Sequence, residues 1–248
     1  MSAFALRLLA CVAMLLDHIG YNLGGAHPLY LPLRCIGRLA FPIFVFLIVN
    51  GFRHTANRPR YALRLALSAV ISQIPFSLFC RESGFLANGN VFFTLLLCLL
   101  VVWAADALRA HGLKWLMPLP ALVAFVPFYF GFLRADYGAK GILLAMSFYL
   151  FADHRVAAAV GTLLAVTHRY LLALALALLH LVQGRPAGLA MPSQWELVQL
   201  LSLAALLPIF LYNGKKGFTP RSPAAAKALQ LGFYLFYPAH LLALLALR

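Results

Sequence analysis

The sequence predicts an all-α protein, a polytopic integral membrane helix bundle of about nine to ten transmembrane helices. Three observations predict it. First, of 248 residues 64% are hydrophobic and only 10% are charged, against about 45–50% apolar and about 25% charged in an ordinary soluble domain. Second, the mean hydropathy is +0.89, and the apolar residues fall in runs of near-spanning length. Third, the basic residues concentrate in short loops between those runs. A water-soluble fold of this size has nowhere to bury so much apolar surface. A soluble enzyme, a secreted disulfide scaffold and a disordered chain are excluded together.

Cutting the chain at charges, glycines and prolines places spans near 3–23, 33–51, 61–80, 91–108, 115–133 and 140–152, then 156–182, 195–212 and 229–247. Residues 1–23 read as a retained first span, since Asp17 and His18 interrupt the run and no small-residue cleavage site follows. The stretch 156–182 reads either as one tilted span or as two short ones broken at His168-Arg169. One span puts Arg169 near the bilayer middle, at about 2.5–3.5 kcal/mol on insertion scales. Two would place the basic loop 213–227 on the wrong side, so one is favoured. No linker, internal repeat or second domain is visible, and 1–248 reads as a single transmembrane domain.

The chain has 20 Lys+Arg and 6 Asp+Glu. The basic loops 52–64, 109–114 and 213–227 set the expected orientation: these loops and the N-terminus in the cytoplasm, and loops 24–32, 81–90 and 134–140 on the other side. The same excess suits an anionic partner, either phospholipid or a phosphate-bearing cofactor. No basic stripe with interleaved aromatics lies on a polar face, so nucleic-acid binding is rejected. Cys11, Cys35, Cys80 and Cys98 lie in or beside apolar runs with no C-x-x-C pair, so neither a metal site nor a disulfide is expected. The scarcity of carboxylates also argues against a carboxylate-bound metal and a carboxylate-pair mechanism.

An ionisable residue inside a span is costly and marks function. Asp17 and His18 interrupt the first span and project about 100° apart. Arg7 precedes His18 by eleven positions, which returns to the same helix face about 16 Å away. One face thus carries a cation near the cytoplasmic edge and an imidazole deep inside, a spacing suited to gripping an anionic carrier and moving a proton. In the second span Arg34 and Arg38 share a face. Gly37 allows close backbone approach, and Pro42 frees a carbonyl. One reading has Arg34 snorkelling to the interface; Arg38, deeper, calls for a partner such as Asp17. The next loop holds Arg53, Arg58, Arg60 and Arg64, which topology alone explains. Topology does not call for His54, Thr55, Asn57 and Tyr61 beside them; together these groups suit a phosphate-rich carrier. Weaker signals are Asn90 with Thr94 one turn on, Asp136-Tyr137-Gly138, and Tyr237-Pro238 followed by His240.

Six ordered blocks resemble the TraX family, inner-membrane acetylases of conjugative pilin and their relatives: residues 14–20 (MLLDHIG), 33–47 (LRCIGRLAFPIFVFL), 51–57 (GFRHTAN), 61–65 (YALRL), 136–144 (DYGAKGILL) and 233–242 (FYLFYPAHLL). Residues 95–133 and 156–228 match poorly. The family is similar in turn to the wider transmembrane acyltransferases, in which an Arg-x10-His pattern on the first helix places a catalytic histidine; Arg7 and His18 fit it. The resemblance implies acetyl transfer from cytoplasmic acetyl-CoA to a pilin N-terminal amine or another envelope acceptor. His18 is then the catalytic base or acyl carrier, supported by Asp17. Arg7, Arg34, Arg38, Arg53, His54, Asn57, Arg58, Tyr61 and Arg64 are the expected acetyl-CoA contacts. Asn90, Thr94, Asp136, Tyr137, Tyr237 and His240 are the expected acceptor-side or supporting residues. The competing reading is a proton-coupled transporter or lipid-handling protein with Asp17-His18 as proton relay. It predicts gradient coupling without thioester cleavage.

Overall fold

The computed structural model describes residues 1–81, 84, 87–183, 186 and 193–248. Every regular element among them is helical: α1 (Ala3–Leu23), α2 (Tyr30–Gly37), α3 (Ala40–His54), α4 (Arg58–Cys80), α5 (Val91–Ala110), α6 (Leu119–Tyr129), α7 (Gly138–Leu150), α8 (Arg155–Val182), α9 (Gln194–Gln199), α10 (Leu206–Phe210) and α11 (Pro223–Ala246). A lone β-bridge joins Gly89 to Ala135.

Local chemistry sets the helix ends. The Ser2 hydroxyl accepts from the Ala5 N–H at 3.2 Å to start α1, which ends at Gly24 with φ +80, a backbone state that costs glycine little. Asn57 caps α4 by accepting from the Arg60 N–H at 2.9 Å, and Asn90 caps α5 by accepting from the Phe92 N–H at 3.0 Å. Residues 30–54 cross as one unit with a break at Arg38-Leu39. A broken helix inside a bundle persists only where protein groups satisfy its freed backbone.

Side-chain contacts define two ends of the bundle. At the basic end, Arg58 pairs with Asp106 at 2.9 Å, Arg53 donates to the Tyr149 carbonyl at 2.8 Å, and the N–H groups of Ala3 and Phe4 donate to the Lys215 and Lys216 carbonyls. At the far end, the Gly89 N–H donates to the Arg134 carbonyl at 2.9 Å, and Asn22 donates to the Leu244 carbonyl at 3.2 Å. The core between them is built on α1, α3, α4, α5, α7 and α11, with Leu6, Ile43, Leu65, Leu99, Ile142 and Leu241 fully enclosed. Small residues permit the closest approaches. At Gly141, an added Cβ would fall 2.9 Å from the Phe41 ring. The outer face of α4 shows the reverse pattern: Leu63, Leu67, Val70, Ile71, Ile74 and Leu78 stand exposed in one helical stripe. An unpaired apolar stripe of this length suits lipid.

Among the described residues, six helical segments are long and apolar enough to cross a membrane: α1, α2–α3 together, α4, α5, α8 and α11. The expectation of nine to ten spans counted apolar runs. Three of those runs fold into shorter helical stretches, at Lys114–Tyr129, Gly138–Leu150 and Gln194–Phe210. Pro118 and Pro127 bound and interrupt α6, and a 3-10 stretch at Leu200–Ala205 separates α9 from α10, while Gly138–Leu150 is one uninterrupted helix of 13 residues. The ambiguous stretch 156–182 is one continuous helix, α8, of 28 residues.

Candidate functional site

The charged centre lies where α1 meets the break between α2 and α3. Asp17 is enclosed on α1 and faces both arginines of α2. Its Oδ2 accepts from Arg34 Nη1 at 2.5 Å, and its Oδ1 accepts from Arg38 Nη2. Arg38 Nε also donates to the Arg34 carbonyl at 3.1 Å, near the helix break. Gly37 makes this packing possible: a Cβ there would overlap the Asp17 carboxylate. Two guanidiniums meet one carboxylate, so the cluster keeps a surplus positive charge. The Arg34 Nε–H is buried with no hydrogen-bond partner, and an orphaned buried donor calls for an explanation.

One position further along α1, His18 meets His240 of α11. The rings stack with centroids 4.9 Å apart, and His18 Nδ1 lies 2.6 Å from His240 Nε2. His240 Nδ1 lies 2.7 Å from the Phe236 carbonyl. A carbonyl only accepts, so His240 Nδ1 carries a proton and, in the neutral ring, its Nε2 carries a lone pair. His18 Nδ1 must then donate, which puts the His18 lone pair on Nε2. Phe79 and Tyr237 enclose the His18 ring, at 5.4 and 6.1 Å between centroids.

A cavity of about 120 Å³ runs from the basic end toward this pair and stops at Tyr237. Arg7, Cys11 and Met14 supply its α1 wall, on the helix face that continues to His18. Tyr61, Gln230 and Phe233 line it too, and Tyr237 separates it from the histidines. Arg7 sits over the Phe233 ring at 4.9 Å and Arg64 over the Tyr61 ring at 5.6 Å. The Arg64 Nε is buried without a partner. A second, wider opening of about 1030 Å³ has Tyr137 and Gly138 in its lining. Tyr137 stacks on Phe41 at 3.7 Å, and Arg38 lies 6.0 Å from its ring.

The structure gathers Arg7, Asp17, His18, Arg34, Arg38, Tyr61, Arg64, Asp136, Tyr137, Tyr237 and His240 along this path. Asp136 lies between α6 and α7, held by its N–H to the Gly89 carbonyl at 2.8 Å and by Thr94, whose hydroxyl donates to the Asp136 carbonyl. Burial pushes the Asp136 carboxyl up to about 6, against the opposing pull of Arg38. Other expected contacts have local work. Arg53 is bound to Tyr149, Arg58 is paired with Asp106 and lies over Phe52 at 4.2 Å, and exposed His54 lies 2.8 Å from the Asn50 carbonyl. Asn57 is a helix cap; Asn90 caps α5 and donates to the Ala69 carbonyl at 2.7 Å and to Gln73 at 2.8 Å. Gln73, fully enclosed, was not singled out by the sequence; a glutamine inside a span was the available signal. Lys140 and Arg169 on the second opening were also missed as site residues. Both are charged positions within apolar helices.

Fold and site define a polytopic helical membrane protein with a buried ionic centre, a cavity toward its basic end and a wider opening lined by Tyr137. The TraX protein family matches residues 2–248, and the chain belongs to that family. It is also 32% identical over 252 residues to a protein of Dichelobacter nodosus described as "Probable fimbrial assembly protein FimC, serogroup H1", covering 97% of this chain and 93% of that one. No solved structure matches.

Proposed function

We propose that the chain is an integral-membrane acetyltransferase. It moves an acetyl group from acetyl-CoA, entering at the basic end, to an amine or hydroxyl acceptor, a pilin N-terminus or another envelope molecule, at the far end. In this reading it sits in the bacterial inner membrane with its N-terminus and basic loops in the cytoplasm, and the three shorter helical stretches cross with the six long ones, making nine spans. One observation carries the proposal: a mostly apolar cavity with Arg7 in its wall ends at Tyr237, whose ring packs against a histidine whose tautomer a second histidine sets.

The parts divide the work by their chemistry. CoA presents phosphates at one end and a long, largely uncharged arm ending in the thioester. Arg7 and Arg64, beside Tyr61, suit the phosphates, while the apolar cavity suits the arm. His18 Nε2 takes the acceptor's proton as the acceptor attacks the acetyl carbonyl, and returns it to the leaving thiolate. A route through an acyl-imidazole on the same nitrogen uses the same parts. The unpartnered Nε–H of Arg34 suits the oxyanion of the tetrahedral intermediate. His240 is a positioning residue that holds His18 in the productive tautomer. Asp17 acts by fixing Arg34 and Arg38.

Both Asp17 oxygens are occupied by guanidiniums, which leaves the competing proton relay without a free carboxylate. Purified protein in detergent is expected to release free thiol from acetyl-CoA when an amine or hydroxyl acceptor is supplied. Absence of thiol release, with proton-gradient-dependent solute uptake in liposomes, would replace the enzyme with the transporter.

A further inference from the structure

We propose that the far-end opening is the acceptor's docking site and that it takes a polypeptide terminus bearing a carboxylate a few residues from its reacting amine. The proposal rests on the acetyl-transfer reading above. Arg134, Lys140 and Arg169 line this opening against a single lining acid, Glu196. That acid is already engaged, since its Oε2 accepts from the Ser193 N–H and hydroxyl, both at 3.0 Å, in a helix-capping box. Like charges gathered around one concavity repel one another, and a bound anion relieves that repulsion. Arg169 is exposed in the interior of α8. An ionisable residue at such a place faces a functional cavity by default.

The same charges act on the amine. Cations around an incoming ammonium disfavour its charged form, so the terminus enters as the neutral nucleophile. A carboxylate further along the peptide offsets the repulsion that would otherwise keep the terminus out. The walls beside the cations are apolar and aromatic, Phe128, Tyr129 and Leu176 among them, which suits peptide side chains rather than a lone sugar or a free anion. Tyr137, in its lining, lies beside Arg38, whose guanidinium carbon is 6.0 Å from the ring centroid. In the transfer, the amine nitrogen bonds to the acetyl carbon and the carbon–sulfur bond breaks. The amine proton passes through His18 Nε2 to the thiolate, leaving an acetylated terminus and free CoA thiol.

The test needs no acetyl-CoA, so its outcome is separate from that of the thiol-release assay. Full-length protein in phosphatidylcholine nanodiscs is titrated with a C-terminally labelled, amidated heptapeptide, Gly-Ser-Ala-Leu-Asp-Ser-Leu, and with its Asn counterpart, and anisotropy is followed. The Asp peptide is expected to bind about tenfold tighter or better, with the preference shrinking as salt rises. Arg169→Gln and Lys140→Gln, checked for folding by thermal unfolding, should each cut that preference to within about threefold. Equal binding of the two peptides, or a preference that survives both substitutions, overturns the proposal. So does loss of Asp-peptide binding in phosphatidylglycerol nanodiscs, which would assign the cations to a lipid headgroup. Thiol release intact alongside any of these results sinks this inference alone.

Discussion

Replacing Asp17 with Asn tests the ionic centre most severely. The residue is 8% exposed and its partner Arg38 is 6% exposed, so solvent screens the cluster little. One carboxylate serves two guanidiniums. Asn keeps the shape and one acceptor oxygen but removes the charge, leaving buried Arg38 and partly buried Arg34 side by side. Breaking a buried pair by removing one partner costs about 3–5 kcal/mol, out of a total stability of about 5–15 kcal/mol. For a chain of this length each kcal/mol shifts the midpoint by about 2–4 °C, so the variant should melt about 10 °C lower in detergent. The assay is thermal unfolding of purified protein, followed by fluorescence. Asp17→Asn combined with Arg38→Met should recover part of the loss, because one orphaned charge is removed with its partner. A single variant that melts within about 2 °C of the parent would refute the reasoning, since the arginines must then find charge compensation elsewhere.

Four further outcomes follow from the same geometry. His240→Ala should cut turnover at least tenfold while His240→Gln, which keeps an acceptor for His18 Nδ1–H, should retain more, and 15N NMR of His18 should show its lone pair on Nε2 in the parent; a lone pair on Nδ1 would contradict the assignment. Gly37→Ala should fail to accumulate as folded protein, judged by size-exclusion of membrane extracts, because its Cβ has no space beside Asp17. The carboxyl of Asp136 titrates near 6 in the folded chain and lower when unfolded, so this position makes the protein lose stability as pH rises from about 4 to about 6. Asp136→Asn should flatten that slope in a melting-temperature series, and an unchanged slope would count against burial as its cause. Arg58→Ala removes a half-exposed pair with Asp106 and should cost about 1 kcal/mol or less, leaving CoA binding near parental in calorimetry, whereas Arg7→Ala and Arg64→Ala should each weaken it about tenfold.

Much of this was legible in the sequence because membrane proteins expose their costs. Asp17, His18, Arg34 and Arg38 stood out since a charge within an apolar run demands a partner. The Arg7-to-His18 spacing put both residues on one face of α1, and Arg7, Cys11 and Met14 of that face line the cavity while His18 lies beyond Tyr237. The single helix at 155–182 was legible from the charge of the 213–227 loop. Pairings between distant segments were not legible. Nothing local says that His18 meets His240, more than two hundred positions away, or that the Tyr237 ring stands between the cavity and that pair. The loop after α3 shows the converse limit. Its arginines and amide look like a phosphate site, but Arg53 and Arg58 find partners on α7 and α5, and Asn57 caps the start of α4. Run length alone did not show which runs would form long helices: a proline interrupts α6 and a 3-10 stretch separates α9 from α10 without lowering the hydropathy of either run.

The most direct test of the central claim compares the parent with His18→Ala in two assays on the same preparation: thiol release from acetyl-CoA with an amine or hydroxyl acceptor, and CoA binding by calorimetry. The account predicts that turnover falls below about one per cent while binding stays within a few-fold, because the imidazole handles the proton or acetyl group and not the phosphates. Turnover that survives the substitution would contradict the assignment of the chemistry to His18.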